Sequence, residues 1–240
     1  MGLLIEEHNY SERAACKLLE LDRSSYGYRR LHVVLQRRGW GVNHKRLYRL
    51  YREGNLAVRR LRRKRLIRPA VPMVQLECAN QEWSLDFMMD GLATGRAIRI
   101  LTIVDSFTRE SLAIEVDSSL SSRRVTRVLE WIIEQRGAPG RLRCDNGPEF
   151  TSRHFLGWCE ERGIQLLHIQ PGRPMQNGLV ESFNGKFRDE CLNANWFQTI
   201  AQARQRIGSW REEYNRERPH SSLGYLTPME FAARGAPLLS

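Results

Sequence analysis

Three segments with the composition of β-strands follow one another directly in the middle of the chain, and this order restricts the possible folds strongly. Each is rich in β-branched and aromatic residues, and they occupy residues 82–88, 97–104 and 111–116. Helical and strand-like patterns then alternate: helices at 126–135, 151–162, about 177–193 and about 199–215, strands at 141–144 and 164–169. This order predicts an α/β protein with a mixed five-stranded sheet and helices on its faces.

Positive charge is concentrated in the first third of the chain. Residues 1–70 carry 18 Lys+Arg against 6 Asp+Glu, whereas residues 71–240 carry 20 against 21. A basic segment joined to a nearly neutral domain indicates a polyanionic partner, and nucleic acid is the commonest one. A merely solvated basic surface is the alternative, although solubility alone does not require fifteen Lys+Arg against one acidic residue over residues 27–68.

The basic region has the pattern of short helices. Helical spacing at 11–20 and 28–38 precedes a turn at Gly39-Trp40-Gly41, and Asn43 is placed to cap a third helix. Two short helices joined by a glycine turn, the second rich in cations, are typical of a helix-turn-helix-like domain, although other small helical hairpins share this pattern. The cations that this interpretation places on DNA are Arg29, Arg30, Lys45, Arg46 and Arg49.

A dense run of cations follows these helices. Seven of the ten residues from 59 to 68 are Lys or Arg, and Pro69 and Pro72 come next. Such a run repels itself and favours an extended arm or linker. Because the run follows the basic helices, we favour an arm that lies along a phosphate backbone; a plain solvated linker or a targeting tract is the alternative. Its proposed DNA contacts are Arg62, Arg63 and Lys64.

The cysteines and the apolar segments indicate a reduced, intracellular setting. The five cysteines are scattered and show neither the spacing of a zinc site nor that of a disulfide framework. The amino terminus lacks the basic region and long apolar stretch of a signal peptide, and the apolar run at 100–104 is far too short to cross a bilayer. We therefore expect a cytoplasmic, nucleoid-associated protein with no membrane partner.

Three acidic residues stand out by their positions. Asp86 lies inside an apolar strand, where an uncompensated charge is costly. Asp145 directly follows a strand, where α/β proteins commonly place functional residues. Glu181 lies on a polar helix face that adjoins an apolar one. Position alone does not single them out, because most such residues are turn or surface residues and other acids are equally eligible: Asp90, Asp105 and Asp117.

Carboxylates on three different elements would suit a hard cation. Mg²⁺ takes oxygen ligands and usually keeps some of its waters. Two such ions about 4 Å apart can activate an attacking oxygen and stabilise a leaving one in phosphodiester transfer. The basic region would then hold DNA while the carboxylates hold the metal ions.

The sequences around these carboxylates resemble those of a known family. The motifs are Trp-Ser-Leu-Asp-Phe at 83–87, Cys-Asp-Asn-Gly-Pro-Glu-Phe at 144–150, Gln-Asn-Gly-Leu-Val-Glu-Ser-Phe-Asn-Gly at 176–185, Tyr-Asn-Arg-Glu-Arg-Pro-His at 214–220 and Leu-Thr-Pro at 226–228. Thirty-five residues separate Asp145 from Glu181. In this order and spacing, the motifs resemble the integrase-type DDE transposases of bacterial insertion sequences, specifically the second-reading-frame product, over residues 26–233.

The resemblance implies a ribonuclease-H-like fold in which Asp86, Asp145 and Glu181 are the catalytic triad and bind Mg²⁺, with Mn²⁺ as a substitute. It also implies cleavage at the terminal repeats of the element, transfer of the freed 3′-hydroxyl to target DNA, homo-oligomers that pair two ends, and a first-reading-frame partner protein. Contacts with DNA beside the metal ions are expected from Arg173, Asn184 and Lys186; an ordinary loop and a solvated helix face are the alternatives.

The same resemblance divides the chain into four parts. These are a basic helical region at 1–58, a basic arm at 59–78, the catalytic core at 79–195 and a helical extension of the core at 196–240. One departure from the family lies at Tyr26, where a stretch of thirty or more residues expected before Tyr-Gly-Tyr-Arg-Arg-Leu-His is missing. An internal deletion there favours one alternative to an active transposase, a catalytically idle remnant that binds element ends. A separate alternative is a structure-specific nuclease of the same fold that does not join strands.

Overall fold

The computed structural model describes residues 27–54, 56, 76–169 and 178–235. They fall into two compact units, the first with 27–54, 56 and 219–225 and the second with 76–169, 178–218 and 226–235. The predicted helix at 11–20, the arm at 59–68 and the loop at 170–176 lie outside the described residues. Within the described part, no helix is both long enough and apolar enough to cross a bilayer.

The first unit is built on two short helices, α1 (Tyr28–Arg37) and α2 (His44–Glu53). Between them, Gly39 has a φ of +82°, a conformation that glycine adopts without steric cost. Asn43 caps α2 as predicted, because its side chain accepts a hydrogen bond of 2.9 Å from the Lys45 amide. The helices enclose a small apolar core of Leu31, Val34, Leu35, Leu47, Tyr51 and Leu56.

The second unit is built around a five-stranded sheet with the order β3-β2-β1-β4-β5. Pairing is antiparallel between β1 and β2 and between β2 and β3, and parallel between β1 and β4 and between β4 and β5. The prediction of a mixed sheet is therefore confirmed, and β1 is its central strand. The strands are β1 (Glu82–Gly91), β2 (Ala97–Asp105), β3 (Ser111–Asp117), β4 (Arg141–Cys144) and β5 (Gln165–His168).

Helices cover both faces of this sheet. They are α3 (Ser122–Arg136), α4 (Arg153–Glu161), α5 (Gly178–Phe187), α6 (Ile200–Arg216) and α7 (Pro228–Gly235). One apolar core joins the sheet to α3 and α4 and includes Trp83 and Leu85 of β1. A second core joins the sheet to α5 and α6 and includes Met88. Because strand side chains alternate between faces, Asp86 lies on the α5/α6 face with Met88, and Phe87 lies on the α3/α4 face.

The elements agree with the sequence prediction to within a few residues, with two differences. The helix predicted at 177–193 is α-helical only to Phe187 and continues as a π-helical turn, Arg188–Leu192. A 3₁₀ turn (Ser221–Leu223) and α7 were not predicted. With three and eight residues, both are too short to show a clear helical periodicity in the sequence.

Candidate active site

The parallel pairing of β1 with β4 brings Asp86 and Asp145 together. Ser84 pairs with Arg143, and Asp86 and Asp145 each come two residues later on their chains. Neighbouring strands lie about 4.8 Å apart, and alternate residues share a face, so continuation of this register places the two carboxylates side by side on the α5/α6 face. Two residues far apart in sequence thus become neighbours through strand register.

The electrostatics of Asp86 reflect this arrangement. Burial raises the pKa of Asp86 from 3.8 to about 6, and the negative charges of Asp145 and Glu181 add to the increase. Hydrogen bonds from the Phe87 amide and from Asn184 act in the opposite direction by stabilising the ionised form. Asp145 and Glu181 therefore both lie close enough to Asp86 for their charges to affect its pKa.

A buried hydrogen-bond chain holds the Asp86 carboxylate. Asn184 Nδ2 donates to Asp86 Oδ2 at 2.7 Å, and the Phe87 amide donates to Asp86 Oδ1 at 2.9 Å. Thr102 Oγ1 in turn donates to Asn184 Oδ1 at 2.9 Å. Thr102 is fully buried and is the β2 residue paired with Asp86. The chain therefore ties α5 to the two strands of the sheet at the level of Asp86.

Glu181 reaches this site from α5. It lies in the first turn of the helix, three residues before Asn184, so the two side chains fall on neighbouring parts of the same helix face. Val180, Phe183 and Phe187 are buried in the core below, which fixes the rotation of the helix on the sheet. Glu181 itself is exposed. The helix packing therefore directs a solvated carboxylate towards the buried one.

The loop after β4 is held at both of its ends. At its start, Asp145 Oδ1 accepts a hydrogen bond of 3.0 Å from the Gly147 amide, and Asn146 Nδ2 donates to the Ile169 carbonyl at 3.0 Å. At its far end, the ring of Phe150 is fully buried and packs 5.1 Å from the Phe87 ring. The loop from Asp145 to Phe150 thus has a fixed course from one face of the sheet to the other.

The donor chemistry of the site fits a divalent cation. Three carboxylates supply the oxygen ligands that a hard cation prefers, and the charges of Asp145 and Glu181 both act on the buried Asp86 and raise its pKa. Across the described residues, no three acidic, His or Cys side chains are arranged closely enough to hold a metal ion as they stand. The site therefore has the ligand types for a metal ion without a completed coordination sphere.

The residues predicted to contact DNA are found in different surroundings. Arg29, Lys45, Arg46 and Arg49 are exposed on the first unit, and Arg30 is partly buried. Lys186 is partly buried on α5, whereas Arg62, Arg63, Lys64 and Arg173 lie outside the described residues. Asn184 is only 7% exposed, and its amide is directed at Asp86 and Thr102, an arrangement that favours a positioning role over contact with DNA.

Sequence reasoning did not identify Thr102, Arg99 or Glu149. Thr102 and Arg99 are polar residues within the apolar run of β2, and that interruption was the available signal. Glu149 lies inside the motif at 144–150, of which only Asp145 was predicted to belong to the site. The partner of each of these side chains depends on strand pairing and loop course, which local patterns do not contain.

Comparison with protein families places the site within an integrase-type domain. A family model described as Integrase core domain matches residues 77–174, and a second with the same description matches residues 162–228. A model described as HTH-like domain matches residues 13–65. The first two matches include all three carboxylates, and the third includes α1 and α2.

Whole-chain relatives are proteins of bacterial insertion elements. A 31.7 kDa protein of insertion element IS407 from Burkholderia multivorans is 45% identical, covering 98% of this chain and 95% of the relative. A 39.2 kDa protein of IS476 from Xanthomonas euvesicatoria is 44% identical, covering 96% of this chain and 75% of the relative. Transposase InsD of the IS2 elements from Escherichia coli is 26% identical, covering 88% of this chain and 75% of the relative.

Solved structures with a similar fold are retroviral integrases. The catalytic core domain of HTLV-2 integrase, in complex with magnesium, gives a TM-score of 0.50 at 19% identity and covers 65% of this chain and 97% of that one. A chain of the simian T-cell lymphotropic virus intasome gives a TM-score of 0.59 at 16% identity and covers 96% of this chain and 76% of that one. At these identities the likeness concerns the fold, and the predicted integrase-like core is confirmed.

Proposed function

Because the chain belongs to the integrase-type transposases of bacterial insertion elements, we propose that it cuts and joins DNA strands at element ends with a divalent metal ion held by Asp86, Asp145 and Glu181. The observation that carries this proposal is that Asp145, beside Asp86 in the strand register, and Glu181 both lie close enough to Asp86 for their negative charges to raise its pKa. Bound Mg²⁺ would supply positive charge to the phosphodiester under attack. The reaction class is hydrolysis of an end, followed by attack of the freed 3′-hydroxyl on target DNA.

Some side chains of the site would bind the metal ion, and others orient the side chains that bind it. Asp86 and Asp145, fixed by the sheet and the loop, would bind the metal ion from one side, and Glu181 would bind it from α5. Asn184 and the Phe87 amide restrict the Asp86 carboxylate, which lowers the cost of bringing it into ligating geometry. In the first unit, the exposed cations of α2 and the groove lined by Tyr28, His44, Lys45, Tyr48 and Arg49 would receive DNA.

Strand cleavage and joining on labelled linear DNA test this function. The DNA carries the terminal repeats that flank the gene, and the reaction contains Mg²⁺ or EDTA, this chain and its first-reading-frame partner. We expect Mg²⁺-dependent nicking at the ends and joined products with the wild-type chain, and neither with Glu181→Gln. Metal-dependent cutting without joined products would instead identify a nuclease of the same fold.

We predict that Asp145→Asn abolishes metal-dependent cleavage but retains binding to the same DNA. The substitution keeps the size of the side chain and removes the negative charge that would attract the cation. Gel-shift and cleavage assays on one preparation separate the two properties. Glu134→Gln, which removes one negative charge from an exposed residue of α3, is the matched control; cleavage by Asp145→Asn at the wild-type rate would refute the assignment of Asp145.

A second candidate function is a catalytically idle, end-binding remnant. The alignment with the IS407 protein runs over 262 positions but contains 98% of this 240-residue chain, so about 27 positions of the relative have no counterpart here. A gap of this size is what an internal deletion at Tyr26 would leave. End binding without cleavage, in the same assay and with a full-length relative as a positive control, would favour this candidate.

A further inference from the structure

An ion pair lies on the face of the sheet opposite Asp86. Arg99 of β2 bonds through Nη1 to Oε1 of Glu149, near the end of the loop that begins at Asp145. The Arg99 guanidinium also lies over the Phe87 ring, 4.1 Å from its centre. Phe87 follows Asp86 directly and faces the other side of the sheet. The cation therefore links the strand that carries Asp86 to the loop that carries Asp145.

The loop crosses the end of the sheet between these points. Asp145 lies on the α5/α6 face, whereas Phe150, five residues later, is buried in the core on the α3/α4 face. Glu149 is largely buried, with 12% of its side chain exposed. In the described structure, its second oxygen, Oε2, is buried and has no hydrogen-bond partner. Arg99 is thus the counter-charge that makes burial of the Glu149 carboxylate tolerable at this position.

Gly147 shows how closely the loop folds on itself. A Cβ atom added there would lie 3.0 Å from Asp145 Oδ1 and 3.4 Å from Glu149 Oε2. The Asp145 and Glu149 carboxylates therefore both lie close to Gly147. Because Arg99 compensates the charge of Glu149, the negative charge of Asp145 stays available for a cation.

We propose that Arg99 and Glu149 are positioning residues: their ion pair clamps the loop from the reverse side of the sheet and so fixes Asp145 beside Asp86. The clamp touches neither substrate nor metal ion. It acts through Asp145, and its expected consequence is a higher affinity of the site for divalent cations. That consequence rests on the proposed metal-binding function, whereas the effect on the loop does not.

Hydrogen exchange of the full-length protein without metal tests the effect on the loop. In Glu149→Gln, we expect at least about tenfold faster exchange at the amides of Gly147, Phe150 and Thr151, whose hydrogen bonds hold the loop. Glu115→Gln is the matched control. It breaks the 2.6 Å ion pair with Arg124 at edge strand β3, two strands from β1, and should leave these amides unchanged.

Titration with Mn²⁺, followed by calorimetry, tests the consequence. We expect about tenfold weaker binding for Glu149→Gln, the usual scale for residues that orient metal ligands, and near wild-type binding for Glu115→Gln and Arg99→Lys. Unchanged loop exchange in Glu149→Gln would overturn the proposal, and so would an increase spread evenly over the sheet. The two proposals can fail separately. If the wild-type chain neither binds Mn²⁺ nor cuts DNA, the proposed function fails. The clamp is still supported in that case if Glu149→Gln speeds amide exchange in the loop alone.

Discussion

At the residue scale, Asn184 has two partners inside the protein, Asp86 and Thr102. Asn184→Ala removes both hydrogen bonds and leaves buried polar groups unpaired, so we expect a loss of roughly 1–3 kcal/mol in the free energy of unfolding. We also expect cleavage to fall by about 10- to 100-fold, because Asp86 loses an orienting partner. Urea denaturation and the cleavage assay measure the two effects.

Asn195→Ala is the matched control for this prediction. It removes the 2.8 Å hydrogen bond from Asn195 to the Cys191 carbonyl, away from the carboxylates, and should keep the wild-type cleavage rate. Full activity in Asn184→Ala would show that Asp86 does not depend on the amide.

The raised pKa of Asp86 also has a consequence for stability. Since the pKa is about 6 in the folded chain against 3.8 ordinarily, the folded chain binds this proton more tightly than the unfolded chain does. The stabilisation is present below pH 3.8 and is lost as pH rises through about 6. At one pKa unit per roughly 1.4 kcal/mol, ionised Asp86 costs up to about 3 kcal/mol.

Asp86→Asn removes this cost. In EDTA at pH 8, we expect the free energy of unfolding to rise by about 1–2 kcal/mol, with little change at pH 4, where wild-type Asp86 is protonated in the folded chain. Urea denaturation at both pH values measures the difference. Asp90→Asn, at an acidic residue of the same strand, is the control, and an equal gain there would refute the explanation.

The sequence predicted the functional residues that lie in recognisable motifs, but not those whose role depends on a contact between distant parts of the chain. The motifs around Asp86, Asp145 and Glu181 suggested which acids to choose among several that were equally well placed. Asn184 was predicted to contact DNA beside the metal ions, whereas its amide bonds to Asp86 and Thr102, a result of how deeply α5 packs on the sheet. That depth is set by tertiary packing, which helical spacing does not report.

At the element scale, the end of α5 depends on a buried ion pair. Glu190, in the π-helical turn, bonds to Arg218 just beyond α6, and their side chains are 7% and 4% exposed. Glu190→Gln leaves the Arg218 charge buried without its counter-charge, and we expect a loss of about 3–5 kcal/mol in the free energy of unfolding. Thermal or urea unfolding measures this loss.

Glu212→Gln is the control for the Glu190 prediction. It breaks the solvent-accessible pairs with Arg211 and Arg216 and should cost less than about 1 kcal/mol. Similar losses of unfolding free energy in the two variants would mean that the buried ion pair stabilises the fold no more than a surface ion pair does.

Element types followed from periodicity, whereas their terminal details did not. The five strands and the main helices of the second unit were all anticipated, because apolar spacing of two or of three to four residues reports which face is buried. The π-helical turn was not anticipated. The helix widens after Phe187 where Glu190 pairs with Arg218, which lies 28 positions away in the sequence. Such long-range pairings leave no local periodic pattern.

At the scale of the whole molecule, the charge distribution predicts how DNA binding responds to salt. Binding should weaken steeply between low and physiological ionic strength, because phosphate contacts release counterions. The triple substitution of Arg62, Arg63 and Lys64 by Gln should reduce the slope of log K against log salt by roughly 2–3, at about 0.9 for each phosphate contact. Fluorescence anisotropy with labelled DNA measures these slopes.

Substitution of Arg206, Arg216 and Arg234 by Gln is the control for the salt experiment. It removes the same total charge from cations for which no DNA contact is predicted, so the slope should change by less than about 1. Equal slopes for the two triple variants would indicate attraction by net charge alone, with no specific part for the basic arm.

The three carboxylates are made at different times during synthesis of the chain. Asp145 leaves the ribosome 59 residues after Asp86, and Glu181 leaves it 95 residues after Asp86, so the strands can pair before the last carboxylate exists. A product that stops between β5 and α5 keeps the basic helices that we propose bind DNA, but it lacks Glu181. On the proposed function, such a fragment would bind element ends without cutting them, so premature termination of synthesis would produce an inhibitor of transposition.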